Sequence, residues 1–243
     1  MLSTPLLSSL MLPIMRLDKF VCQSTDLTRN EAIQRINDGE LSVNGEMLSN
    51  EATQVHENNI ILLNGLRLKT RDFRYIVMHK PADTICSNID EAYPSLFNHL
   101  DIDKVSELHI AGRLDADTTG LVLITDDGRW SFNITQPTSQ CSKVYRVKLS
   151  NEITDDVASI FEKGIKLQGE HLLTRPAILE VISPKEVLLT LTEGKFHQVK
   201  RMFSAVGNRV MSLHREKIGE ICLDVKLGQW RHLTNDEVKS FAQ

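Results

Sequence analysis

The chain has 243 residues, of which 41% are hydrophobic and 25% charged. That is the composition of an ordinary globular protein, with room for one large domain or a small one joined to a medium one. A formal charge of −4 excludes a wholly basic nucleic-acid binder, but a basic face depends on where cations cluster, not on the total. Cys22, Cys86, Cys141 and Cys222 form no CxxC pair, which argues against a zinc site or a disulfide framework and fits reduced thiols in the cytoplasm. Residues 1–14 are apolar with serines, lack a positive start and a small-residue cleavage site, and are too short to span a membrane. They are expected to be a disordered extension, with the folded chain opening at Met15-Arg16-Leu17.

Thr28-Arg29-Asn30-Glu31 is a capping box that starts a helix; Ala32, Ile33 and Ile36 follow at helical spacing, and Gly39 is placed to end it. Leu41 to Met47 alternates around Asn44-Gly45, a two-residue hairpin signal that Ile60 to Gly65 repeats with Asn64-Gly65. These features describe a compact unit over 15–66 of two short helices followed by small strands. It resembles the RNA-binding module named after ribosomal protein S4. The resemblance implies phosphate contacts from Arg16, Lys19, Arg29 and Arg35; from the residues alone, solvated helix charges serve as well.

A basic linker is expected over 67–73, within a run where Arg67, Lys69, Arg71, Arg74 and Lys80 face only Asp72. Tyr75-Ile76-Val77-Met78 opens a larger domain over 74–243. Strands are predicted at Leu121–Thr125, Lys143–Leu149, Ala177–Ile182 and Val187–Thr192. Helices are predicted at Asp155–Lys163, N-capped by Thr154 and stopped by Gly164, and at His197–Val206, stopped by Gly207. Pro184-Lys185 turns one strand into the next. Strands in runs with helices among them indicate an α+β fold on a mixed, mostly antiparallel sheet flanked by helices. No GxGxxG or Walker sequence occurs, which argues against a nucleotide cofactor.

The most informative stretch is His109 to Gly128, where a loop presenting Arg113 and Asp115 between Gly112 and Gly120 enters the apolar run Leu121 to Ile124. By spacing alone, Asp115 is either a turn-capping acid or a carboxylate held in a cleft. The words Gly-Arg-Leu-Asp and Asp-Thr-Thr-Gly-Leu-Val-Leu-x-Thr-Asp-Asp-Gly resemble the active-site signature of the RsuA-type pseudouridine synthases, which isomerise uridine in ribosomal RNA. The reaction breaks the N1–ribose bond, turns the uracil and rejoins it through C5. No group is added or lost, so neither metal nor cofactor is required. By the resemblance Asp115 is the carboxylate that attacks the sugar carbon or removes a ribose proton, Arg113 supports it, and Asp117 is a turn-capping acid.

Three further motifs follow in the family's order. Glu193-Gly194-Lys195-Phe196-His197-Gln198-Val199-Lys200-Arg201-Met202 places Lys200 where related synthases carry the basic partner of their aspartate, and Arg201 is better placed for phosphate. From the residues alone both could be surface helix charges, and Glu193 with His197 could form an acid–base pair. Lys143-Val144-Tyr145-Arg146-Val147 is similar to the strand whose tyrosine stacks a flipped uracil; by alternation Tyr145 is equally a core residue. His214-Arg215-Glu216-Lys217-Ile218-Gly219 resembles the family's closing motif, and Arg215 is expected to contact RNA. The resemblance covers 15–240. It implies a cofactor-free enzyme acting on one uridine of small-subunit (16S) rRNA within an assembly particle, monomeric and without a membrane segment. The same chemistry on large-subunit rRNA and a non-catalytic RNA-binding assembly protein are the alternatives.

Overall fold

The computed structural model describes residues 14–56 and 58–241. Apart from Ile14, the expectation for residues 1–14 lies outside the described residues. The chain divides into two compact units, Met1–Asp72 and Phe73–Gln243.

The first unit runs β1 (Met15–Arg16), α1 (Leu17–Ser24), α2 (Arg29–Asn37), β2 (Leu41–Val43), β3 (Glu46–Met47), β4 (Gln54–Val55), β5 (Ile61–Leu63) and β6 (Leu66–Arg67). Its second helix starts at the capping box: the Thr28 N–H donates to Glu31 Oε2 at 2.8 Å, and Glu31 N–H donates back to Thr28 Oγ1. Both Asn-Gly turns have positive φ at both central residues, 52° and 90° at Asn44-Gly45 and 50° and 79° at Asn64-Gly65. That twist lets two residues close β2 on β3 and β5 on β6. The strands join in the order β3-β2-β5-β6, with β1 paired to β4. Leu17, Phe20 and Val21 of α1 meet Ala32 and Ile36 of α2 over Leu41, Val55 and Ile61 as a small buried core. The segment read as a linker begins inside this unit: Arg67 pairs with Leu62 in β6, Leu68 packs on the core, and the Arg71 N–H donates to the Gln23 carbonyl.

The second unit is built on β7 (Tyr75–Lys80), β8 (His109–Ala111), β9 (Thr119–Thr125), β10 (Lys143–Leu149), β11 (Ile178–Ser183), β12 (Glu186–Leu191), β13 (Val210–Ile218), β14 (Ile221–Cys222) and β15 (Trp230–His232). The main path is β11-β12-β10-β13-β9-β7-β15, with β14 on β13 and β8 on β9. Only β9 and β13 pair in parallel among the described strands; the other pairings are antiparallel. The α+β fold with a mixed, mostly antiparallel sheet is therefore present.

The central strands β7 and β9 are covered on both faces, which is why they read as continuous apolar runs. Ile76, Met78, Val122 and Ile124 point to a core shared with α4 (Val157–Lys163) and α5 (Gln198–Ala205) through Phe161, Met202 and Phe203. Val77, Leu121 and Leu123 point the other way, toward Trp130 and Ile134 of α3 (Gly128–Thr135) and toward Phe241 beyond α6 (Asn235–Lys239).

Two local expectations change. The helix predicted from Asp155 starts at Val157, because the Thr154 hydroxyl donates to the Asp156 carboxylate at 2.6 Å instead of capping a backbone N–H. The nine-residue β13 has no counterpart among the expected strands, since His214-Arg215-Glu216-Lys217 hides its apolar alternation behind charge.

Candidate active site

Asp115 sits on the loop between β8 and β9, at a cleft of about 540 Å³ whose lining includes Arg113, Tyr145, Phe196, His197, Lys200 and Arg215. The loop turns back on itself through a Thr118 N–H bond to the Asp115 carbonyl at 3.1 Å. Beneath it lies Lys80, the last residue of β7, which is fully buried. Its ammonium donates to the carbonyls of Pro81, Ala116 and Thr118 at 3.0, 3.1 and 2.9 Å. A buried ammonium without partners would be prohibitively costly; three carbonyls offset that cost and pin the loop on either side of Asp117. Burial still pushes the Lys80 ammonium below the ordinary lysine value. In the sequence Lys80 is one more cation of a basic run, and nothing local reveals this role.

Two side chains from the start of α5 meet the Asp115 carboxylate. Lys200 Nζ donates to Oδ2 at 2.9 Å, and His197 Nε2 lies 3.4 Å from Oδ1. Lys200 also donates to both oxygens of Asp117, at 2.7 and 3.0 Å. Burial works against the Lys200 charge, but hydrogen bonds to Asp117 and Asp115 outweigh it and raise its pKa. The bond from Lys200 correspondingly holds the Asp117 carboxyl below the usual carboxylate range. Asp117, expected as a turn cap, thus shares the cation with Asp115.

His197 reaches Asp115 because it occupies the left-handed region at the N-cap of α5, with φ of 47°. Glu193 does not pair with it. It accepts instead from the Arg175 N–H at 2.9 Å and from Gln198 Nε2 at 2.7 Å, so the alternative acid–base pair is absent.

The far wall is β10 against β13. Tyr145, Val147 and Leu149 share the buried face of β10, as strand alternation requires, and the Tyr145 ring lines the cleft. Arg215 corrects the sequence reading. Expected at an RNA-facing surface, it is 1% exposed. Its Nε donates to the Leu121 carbonyl at 2.7 Å and an Nη to the Gly112 carbonyl at 2.8 Å, and its guanidinium carbon lies 5.9 Å from the Tyr145 ring centre. Gly120 makes this possible: with φ of 116°, a side chain there would drive its Cβ into the Arg215 backbone. Parallel pairing of β9 with β13 therefore needs glycine at this position.

Arg201, a quarter exposed, is also engaged within the chain. It donates to the carbonyls of Phe196 and Gln168, at 3.0 and 2.5 Å, and to Glu170 at 3.3 Å, tying the 168–170 segment to the start of α5. Arg113 is exposed on the cleft wall. The two aspartates closing the long motif serve the fold. Asp126 receives the Arg74 N–H and Nε at 2.8 and 2.9 Å. Asp127 caps α3 by accepting from the Arg129 and Trp130 N–H groups.

In the first unit, Arg16 and Arg29 both bind Asp18, itself 1% exposed, at 3.0 to 3.2 Å. Arg35 binds Glu40 at 2.8 Å, and Lys19 is exposed on α1. The three arginines expected on phosphate are thus engaged within the module.

Comparison with known proteins agrees with this geometry. Residues 74–205 match the family described as RNA pseudouridylate synthase, and residues 15–61 match the S4 domain. A protein of Vibrio cholerae serotype O1 named ribosomal small subunit pseudouridine synthase A is 49% identical over 228 residues, covering 93% of this chain and 99% of its own length. Its namesake in Escherichia coli K12 is 46% identical over 229 residues, with the same coverage. A crystal structure of a pseudouridylate synthase superposes with a TM-score of 0.70 at 40% identity, over 94% of this chain and all of the other. The chain belongs to the RNA pseudouridylate synthase family and carries an S4 domain before its synthase domain.

Proposed function

We propose that this enzyme isomerises one uridine of small-subunit (16S) rRNA to pseudouridine, with Asp115 as the catalytic group. The observation that carries the mechanism is the Asp115 carboxylate at a cleft, with one oxygen bound to Lys200 and the other facing His197. A carboxylate oxygen is the group able to act on the sugar. The carboxylate attacks C1′ or takes a ribose proton; either way the N1 bond breaks, the uracil turns, and the C5 bond forms with no atom gained or lost. Chemistry at the sugar of a stacked base requires the nucleotide to leave the stack. Tyr145, a core residue that is 8% exposed and lines the cleft, supplies the face on which the flipped uracil rests. Arg113 on the outer wall is placed for the phosphate of that nucleotide.

The small-subunit substrate rests on the relatives' names and on their near-complete coverage of the chain. The partner we assign is an assembling ribosomal particle, engaged by a monomer; no helix among the described residues is long and apolar enough to cross a membrane. Pseudouridine mapping of both rRNAs from a strain lacking this protein tests the reading. Loss of one modification in 16S rRNA, restored by the unsubstituted chain and not by Asp115→Asn, is the expected result. Loss in the large-subunit rRNA instead overturns the substrate, and no loss in either overturns catalysis on rRNA.

A further inference from the structure

Beside Asp115 the cleft carries an aromatic ring that the mechanism above does not use. Phe196 is 75% exposed, more than Phe132 at 60% or Tyr93 at 42%. It lines the cleft and lies almost flat on His197, with ring centres 3.7 Å apart and planes 22° apart. One face of the ring is covered by an imidazole that in turn reaches Asp115; the exposure belongs to the other. The backbone around it is held still. The Phe196 carbonyl accepts from Arg201 at 3.0 Å, the Lys195 N–H donates to Gln198 Oε1 at 2.8 Å, and α5 begins two residues later.

A rigid ring with one open face at the rim of an RNA-modifying cleft suits one class of ligand. Nucleobases stack on aromatic faces whatever their sequence, and a ring already stacked on His197 has less freedom to lose on doing so. Tyr145, 8% exposed, is deeper in the same cleft. Two rings at two depths offer two stacking surfaces: the inner one for the base being isomerised, the outer one for a base that stays outside.

We propose that Phe196 is a stacking shelf for the nucleotide next to the flipped uridine, holding its neighbour at the rim while the uridine enters. This rests on the assignment of the cleft to a flipped uridine. A base–aromatic stack contributes on the order of 1–3 kcal/mol, which is roughly a 5- to 150-fold change in affinity.

The test uses the full chain and short RNAs carrying 2-aminopurine immediately 5′ or immediately 3′ of a single uridine, with a 16S transcript for turnover. Stacking quenches 2-aminopurine, so the unsubstituted chain should quench one of the two probes on binding. Phe196→Ala should abolish that quench and weaken binding by roughly tenfold or more, Phe196→Trp should keep both, and Phe196→Leu should behave like Ala in quenching. On the 16S transcript the loss in Phe196→Ala should fall mainly on KM. No quench in either arm, an unchanged quench in Phe196→Ala, or full recovery of affinity by Phe196→Leu overturns the shelf. Repeating the titration with Asp115→Asn separates the two readings. Quench without pseudouridine formation by the unsubstituted chain leaves an RNA-stacking ring and removes the assignment of the uridine, whereas turnover without quench removes the shelf alone.

Discussion

Asp115 and Lys200 are 85 positions apart in sequence and 2.9 Å apart in space, and the proposed chemistry turns on that pair. Replacing Asp115 with Asn keeps the size and removes the reacting oxygen, so turnover should vanish while RNA affinity stays within about twofold; measurable product above a trace would defeat the assignment. Lys200→Met leaves Asp115 and Asp117 facing one another without their shared cation. We expect the single-turnover rate at saturating RNA to drop at least roughly tenfold, about 1.4 kcal/mol of barrier. Arg201→Met should act differently, because Arg201 binds the 168–170 segment and the Phe196 carbonyl. Its loss should lower the melting temperature and weaken binding, with a smaller effect on the saturated rate. If Arg201→Met costs more saturated rate than Lys200→Met, the two roles are reversed.

The element that positions the aspartate is the end of β7, through Lys80. Substituting Lys80→Met preserves much of the volume but removes a donor from the Thr118 carbonyl and from the Ala116 carbonyl, which keeps the Asp83 N–H; a carbonyl left unsatisfied costs about 1–3 kcal/mol. Thermal unfolding should shift down, and the saturated rate should fall with it because the Asp115 loop loses its anchor. A stability loss with an unchanged rate would show that the loop holds its shape without Lys80.

On the edge strand that pairs with β7, Arg231 of β15 bridges Asp224 and Glu237 at 2.7 Å each. Its guanidinium holds the Glu237 carboxyl down to about 2. A carboxylate with a depressed folded pKa contributes stability that is complete above its unfolded value and disappears as the pH falls toward the folded one. The tie should therefore be fully present above about pH 4.5 and lost as the pH approaches 2. Arg231→Met should be less stable than the unsubstituted chain by about 1 kcal/mol at neutral pH. The gap should close on acidification; denaturation series at several pH values measure it, and a gap that widens in acid contradicts the sign.

Across the whole molecule, the division at Asp72 and Phe73 sets where the chain can be cut. The synthase unit keeps its Arg74–Asp126 tie only if it begins at or before Phe73. A chain of residues 73–243 should therefore melt cooperatively, bind RNA more weakly and show a shallower dependence of affinity on salt, about one unit of slope for each phosphate that is no longer neutralised. Aggregation or a non-cooperative melt would place the division wrongly. An unchanged salt slope would mean that the S4 unit neutralises no phosphate, a real outcome given that Arg16 and Arg29 already bind Asp18.

Features set by neighbours in the chain were legible without a structure. The capping box at Thr28 and Glu31, the Asn-Gly hairpins and the alternation of Lys143 to Leu149 depend on spacings of two to four residues, and the structure shows each of them. The order of the motifs was enough to identify the family. Charged residues were where reading from sequence failed, because an isolated Arg, Lys or Asp looks like solvent-facing surface until its partners are known. Arg215 is buried beside the Asp115 loop because the Leu121 and Gly112 carbonyls, 94 and 103 positions away, offset the cost of burying its charge. Lys80 does the same through Ala116 and Thr118, and Asp117 gains its cation from a helix that starts 81 residues later. No window along the chain contains such partners; only the pairing of β7, β9 and β13 and the packing of α5 beside them bring them together, and burial of charge is decided by that tertiary proximity.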